Sequence, residues 1–285
     1  MLKTIIIISL YLLNFYIYGQ YNQASGNVWV FGDSLKIDFN QNPPSVDSDF
    51  NFSGASFGGT ESCASVADCD GSLLFYTNGT QVFNKNQTLM PNGDGLMGDV
   101  SSAMGAMISP VLGNTNQYYL FVLDGGSSSS SNGPKGKYDG LHYNIIDMSL
   151  DNGNGDIVAS KKNIYLTDSL GEKILGVRHN NGRDYWVIVR KHRENEMYAY
   201  LITPEGLNIS PVVSLVNNSY NFFGDVGQMV SNHQGNKIAE AVSNTSFSGT
   251  LSSGIIVYDF DASSGIVSNA TIYQSVASGI TPYSF

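Results

Sequence analysis

From Val28 onward, apolar runs of five to seven residues alternate with short clusters of Asn, Asp, Gly and Ser. Runs of that length bounded by turn formers read as β-strands. One hairpin stands out: Asp68-Cys-Asp-Gly71 leads into Leu73-Leu-Phe-Tyr-Thr77, then Asn78-Gly79, then Thr80-Gln-Val-Phe83. Asn-Gly at that place predicts a two-residue type I′ turn, whose central residues both need positive φ. The same wording returns as Asn114-Thr-Asn-Gln117 before Tyr118–Leu123, with Leu141–Ile146 following. It returns as Asn180-Asn-Gly-Arg-Asp184 before Tyr185–Val189, with Met197–Ile202 and the turn Thr203-Pro-Glu-Gly206 after it. A fourth copy is Asn232-His-Gln-Gly-Asn236, Lys237–Val242 and Gly254–Phe260. Helical periodicity is nearly absent, with one short turn expected over Ser101–Met107. Ser264–Ala270 reads as a strand connection, and Gly279–Phe285 as the start of a further strand.

The leading strands of these copies begin near residues 73, 118, 185 and 237, that is 45, 67 and 52 residues apart. The longest interval contains Lys161–Gly176 and has room for an extra strand or loop. A unit of about 40–50 residues holding about four strands is the signature of a β-propeller blade. A β-sandwich also repeats its strands, at about 8–12 residues; the blade-length period favours the propeller. The expected fold is therefore all-β, a propeller of four-stranded antiparallel blades over residues 20–285. Four to five blades are visible and the last is unfinished, so the chain reads as the front of a longer protein. The low-complexity tract Gly125–Gly136 reads as an inter-strand loop rather than a domain linker.

Residues 1–19 have another character. Lys3 precedes an apolar stretch from Ile5 to Phe15, and small Gly19 follows. The stretch is shorter than the ~20 residues of a membrane-spanning helix and fits a secretory signal peptide cut before Gln20. No later segment is apolar enough to span a membrane. Composition agrees with the strand reading: Gly, Ser and Asn fill one position in three, and 12% of residues are aromatic. Charged residues make up only 13%, about half the usual share. The formal net charge of −10 argues against nucleic-acid binding, since an acidic surface repels phosphates.

Candidate chemistry is sparse. Cys63 and Cys69 sit in an exported chain, where a disulfide is permitted, but Cys63 reads as strand and Cys69 as turn, so the two need not face each other. Phe31-Gly-Asp-Ser-Leu35 matches the GDSL esterase signature, and Asp139-Gly-Leu-His142 supplies a D-x-x-H pair. A secreted serine esterase would use Ser34 as nucleophile and His142 as general base. The strand–helix alternation and the Gly-x-Asn-Asp block of such enzymes are absent. Gly54-Ala-Ser-Phe-Gly58 lacks the strand-to-helix elbow that a G-x-S-x-G nucleophile needs. Arg178-His179 falls at a strand end, as a channel-lining pair or a hydrogen-bonded sheet-edge pair. Arg190-Lys-His-Arg193, followed by Glu194 and Glu196, reads as a solvated hairpin tip. The acidic loop Asp151–Asp156 has no EF-hand spacing and reads as a turn. No metal site and no cofactor are implied.

Trp29-Val-Phe-Gly-Asp-Ser-Leu-Lys-Ile-Asp-Phe-Asn40 resembles the opening strand of a family of large secreted Bacteroidota proteins. The likeness continues through Glu61–Asp68, Gly71–Gly79, Val82–Asn86, Met90–Gly93 and Gly95–Gly98. It runs on through Tyr143–Met148, Val177–His179, Asp184–Val187, Tyr198–Leu201, Val257–Asp261, Ser264–Val267 and Pro282-Tyr283. In that family the N-terminal region is a WD40-like or YVTN-like β-propeller. The resemblance implies PKD or Ig-like modules downstream and a gliding-motility-associated or type IX secretion sorting domain at the C-terminus. It implies no ligand or catalytic set, and Cys69 and the Ser-rich loop depart from the family pattern. The resulting expectation is a non-enzymatic module at the cell surface or outside it, an adhesion or interaction domain for a protein or glycan. The alternatives are the Ser34/His142 esterase and a structural spacer without a ligand.

Overall fold

A computed structural model describes residues 23–32, 35–48, 50, 61–124, 140–192, 194–216, 226–244 and 252–274. Among them the chain is all-β, in five antiparallel sheets built from successive stretches of sequence. The first sheet holds β1 (Val28–Phe31), β2 (Leu35–Asp38) and β3 (Ser45–Asp47), preceded by a 3-10 turn at Gln23–Gly26. The second holds β4 (Ala64–Ala67), β5 (Leu73–Thr77) and β6 (Val82–Asn84). The third holds β7 (Ala106–Pro110), β8 (Gln117–Asp124), β9 (Gly140–Asp147), β10 (Asp156–Ile157) and β11 (Ile164–Thr167). The fourth holds β12 (Leu170–Arg178), β13 (Tyr185–Lys191), β14 (Glu196–Thr203), β15 (Gly206–Leu207) and β16 (Val212–Leu215). The fifth holds β17 (Met229–Ser231), β18 (Lys237–Asn244), β19 (Ser252–Asp261) and β20 (Ile266–Gln274).

The two five-stranded sheets have four strand positions. β10 and β11 both pair with β9, at Ile146–Asp147 and Leu141–Tyr143, so together they form one broken outer strand. β15 and β16 divide the edge of β14 in the same way. In the second sheet the fourth position is reduced to a single bridge, Phe83 to Leu89. The expected leading strands coincide with β5, β8, β13 and β18, the second strand of their sheets, and the long interval holds no strand more than the one after it, four in each.

Period-two alternation decides which neighbour each side chain meets. On β8, Leu120 and Val122 join a core with Val66 and Phe75 of the second sheet. The intervening Tyr119, Phe121 and Leu123 join a core with Leu170 and Val187 of the fourth. On β13, Val187 and Val189 face back to the third sheet, while Trp186 and Ile188 face on to Ile256 and Tyr258 of the fifth. Val28 and Val30 pack on Tyr76 and Phe83. Four apolar cores thus lie between five sheets. Each fully buried Leu or Phe side chain in them contributes about 1.5–3 kcal/mol. The first strands also meet in succession: β1 touches β4, β4 touches β7, β7 touches β12 and β12 touches β17.

The abundance of Asn, Asp and Ser has a mechanical origin. Side-chain oxygens of Asp68, Asn114, Asn181, Asn232 and Asp261 accept backbone N–H groups two to five residues ahead, closing the turns locally.

Three local expectations are corrected. The Asn78-Gly79 turn is a four-residue loop, because Thr77 pairs with Val82 and the Asn78 Oδ1 accepts N–H groups of both Thr80 and Gln81. Ser101–Met104 forms irregular turns, and Ala106 already begins β7. Ser264 and Gly265 turn the chain, but Ile266 onward is strand β20 rather than a connection. Residues 1–19, expected to be a signal peptide, the Gly125–Gly136 tract and Gly279–Phe285 lie outside the described residues. No helix among the described residues is long and apolar enough to cross a membrane.

Candidate functional site

A cavity of about 650 Å³ opens where β4 and β7 end and the β12–β13 hairpin turns. The turn Asp68–Cys69, the loop Asn114–Gln117 and the 3-10 turn at Ser25 and Gly26 also border it. The same Asx turns that terminate the strands therefore build its rim. Tyr118 stands half-buried in its wall, its ring edge-on against Phe75 at 5.5 Å. Burial raises the Tyr118 phenol, and Asp68 and Cys69 push it in the same direction. The phenol therefore stays protonated at neutral pH and serves as a neutral donor and acceptor. Asp68 Oδ1 is occupied by the N–H groups of Asp70 and Ser72. Asn114 Oδ1 accepts from Asn116 N–H at 3.0 Å. Among the described residues, the Tyr118 and Thr115 hydroxyls and the Asn116 carboxamide have no protein hydrogen-bond partner.

Of the pair Arg178-His179, expected to line a channel or to form a hydrogen-bonded sheet-edge pair, Arg178 borders the cavity at the end of β12. The structure separates it from its neighbour. His179 stacks on Trp186 at 5.7 Å, receives Asn181 N–H at Nδ1, and meets the Ser263 carbonyl through Nε2 at 3.1 Å. It belongs to the junction of the fourth and fifth sheets. Tyr118, Thr115 and Asn116 were visible only as strand and turn letters; no motif marks them.

The proposed esterase pair is not assembled by the described residues. Ser34 and Asp139 lie outside them. His142 is buried in β9 of the third sheet, its ring against Tyr165 of β11 at 5.6 Å. Leu35, the neighbour of Ser34, begins β2 of the first sheet, and the second sheet packs between the first and the third.

Neither Cys63 nor Cys69 is in a disulfide. They flank β4 at opposite ends, and its four residues alone span roughly 13 Å, beyond the ~7 Å Cα separation a bridge tolerates. The acidic loop is a turn: Asp151 and Asn152 take positive φ, and Asp156 is held by Asn92 through its backbone N–H at 2.8 Å and its side-chain amide at 2.6 Å. No group of three or more metal-ligating side chains occurs among the described residues.

The expected solvated hairpin tip is corrected at Arg190, while Arg193 lies outside the described residues. Arg190 is 6% exposed, because it extends the Trp186, Ile188 series toward the fifth sheet. Its Nη1 donates to both carboxylate oxygens of Glu240 at 2.9 Å. Lys173 Nζ donates to Glu240 at 2.8 Å and to the Ala241 carbonyl at 2.7 Å, and Tyr258 O–H donates to Glu240 at 2.8 Å. Burial alone would raise the Glu240 carboxyl, but the adjacent Lys173 and Arg190 charges hold it at about 2. Lys191 points the other way, its Nζ donating to the Asp168 carbonyl at 2.8 Å. This network joins the fourth and fifth sheets in a place closed to solvent.

No protein-family model matches the chain, and no curated protein matches it in sequence. Among solved structures, an α-L-arabinofuranosidase from Clostridium thermocellum aligns with a TM-score of 0.38 and 11% identity, over 94% of this chain and 77% of that one. A prolyl endopeptidase aligns with a TM-score of 0.28 and 8% identity, over 91% of this chain, which spans about half of that one, 51%. Likenesses this distant assign neither fold nor activity. The architecture stands on the strand pairing and the sheet-to-sheet cores.

Proposed function

We propose that this chain is a non-enzymatic β-propeller that works outside the cell as an interaction module of a larger secreted protein. The propeller reading is supported by sheets with four strand positions, by successive contact between their first strands, and by face-to-face cores. Among the described residues, the outer faces of the first and fifth sheets carry exposed apolar side chains. Trp29 (53% exposed) and Val46 (63%) lie on the outer face of the first sheet, and Tyr273 (60%) on that of the fifth. Further blades complete the propeller in this reading. Export follows from residues 1–19, and membership of the Bacteroidota propeller family from the ordered words quoted above.

The observation that carries the binding role is the cavity at the strand ends, with neutral polar groups presented on a wall fixed by Phe75. His142, the base an esterase would need, is instead packed inside the third sheet. Fluorophosphonate labelling of the full chain tests the reading. The expected result is no labelling; labelling of the parent that disappears in Ser34→Ala overturns it. N-terminal sequencing of exported protein should begin at Gln20.

A further inference from the structure

Resting on the binding-module reading, we propose that the cavity bordered by Tyr118, Thr115 and Asn116 is a subsite for a neutral oligosaccharide. A sugar presents an apolar C–H face and an edge of hydroxyls, each both donor and acceptor. A complementary wall must therefore offer apolar surface beside groups that also donate and accept. Ile108 and the Tyr118 ring supply the first, and contact with Phe75 keeps that ring from turning away. The Tyr118 and Thr115 hydroxyls and the Asn116 carboxamide supply the second, since each both donates and accepts and none is committed to another protein group among the described residues.

Charge selects within the sugars. Asp68 and Arg178 are the charged side chains of the lining and have opposite sign, so a carboxylated or sulfated glycan gains no net attraction. Asp68 retains Oδ2 as an acceptor for a hydroxyl, because its two backbone donors both use Oδ1. The volume falls within the ~300–1,000 Å³ of small-ligand sites. A protein partner would instead seek a buried apolar or aromatic anchor pocket, whereas the uncommitted groups here are hydroxyls and an amide.

The test is an array of neutral and acidic oligosaccharides probed with the full chain, followed by calorimetry with the best neutral binder. Asn116→Ala removes an exposed carboxamide, and Tyr118→Phe removes one hydroxyl while keeping the ring on Phe75. Circular dichroism confirms that both variants fold. Retention of neutral glycans, with affinity falling roughly five- to tenfold in each variant, supports the proposal. Retention of acidic glycans alone, of no glycan, or of neutral glycans with affinity untouched by both variants overturns it. Those outcomes leave the broader binding role standing, which falls separately if Ser34-dependent fluorophosphonate labelling is found.

Discussion

Lys173 and Glu240 meet at 2.8 Å with 1% and 0% of their side chains exposed, and Arg190 and Tyr258 complete the shell around the same carboxylate. Ions removed this far from water are tolerable only when fully paired. Glu240→Ala would leave two buried cations facing each other across an empty site. It should cost about 3–5 kcal/mol, read as a lower urea midpoint. A loss below about 1 kcal/mol would show that the network does not hold the fourth and fifth sheets together.

The same carboxylate sets a pH dependence. Its folded value of about 2 lies below the ordinary 4.5, so its contribution is complete above pH 4.5 and is lost as pH falls toward 2. Acid titration of the unfolding midpoint should show a decline over that window. Glu240→Gln should start lower and flatten this part of the profile; an unchanged slope would assign the acid sensitivity to other carboxylates.

Gly113 and Gly140 both hold positive φ, +84° and +74°, but their surroundings differ. A Cβ at Gly113 meets open space, whereas one at Gly140 would collide with the Thr167 carbonyl and the Asp168 backbone, where β11 returns to β9. Gly113→Ala should lose about 1 kcal/mol from backbone strain alone. Gly140→Ala should lose clearly more, because backbone cannot yield as a side chain does. Equal thermal shifts would contradict the close approach of the two strands.

The two tryptophans report separately on the outer face of the first sheet and on the interior. Trp29 is 53% exposed on the first sheet, and Trp186 is 3% exposed between the fourth and fifth. Acrylamide should quench Trp186→Phe, which retains Trp29, strongly, and Trp29→Phe weakly. Strong protection of Trp29 in the isolated chain would mean that its face is already covered.

Both cysteines should react in unreduced protein. Cys69 is exposed, while burial raises the Cys63 thiol, and thiolate is the reacting form. Iodoacetamide should therefore modify Cys69 first and Cys63 slowly, with two equivalents consumed after denaturation. Zero equivalents would reveal a bridge.

The strand grammar was legible because period two and Asx turn chemistry are local properties. Asn114, Asn181 and Asn232 close the turns in which they were read, and the strands after them start where expected. Arg190 was missed because four successive polar residues look solvated. The signal lay at every second residue, in the Trp186, Ile188, Arg190 register. Its partner Glu240 shares the same face as Ile238 and Val242, yet nothing local connects residues 50 positions apart. The cavity was hidden for the same reason, since its lining comes from several sheets and only Arg178 carried a hint.

The Asx turns have an evolutionary corollary. A residue inserted within β13 would exchange every side chain between two cores at once. A hairpin loop closed by its own Asn or Asp can lengthen or change its tip without transmitting anything to the sheets. The loops closed by Asp68 and Asn114 are also the rim of the cavity, so the shape of that rim can drift by substitution and insertion while the scaffold stays fixed.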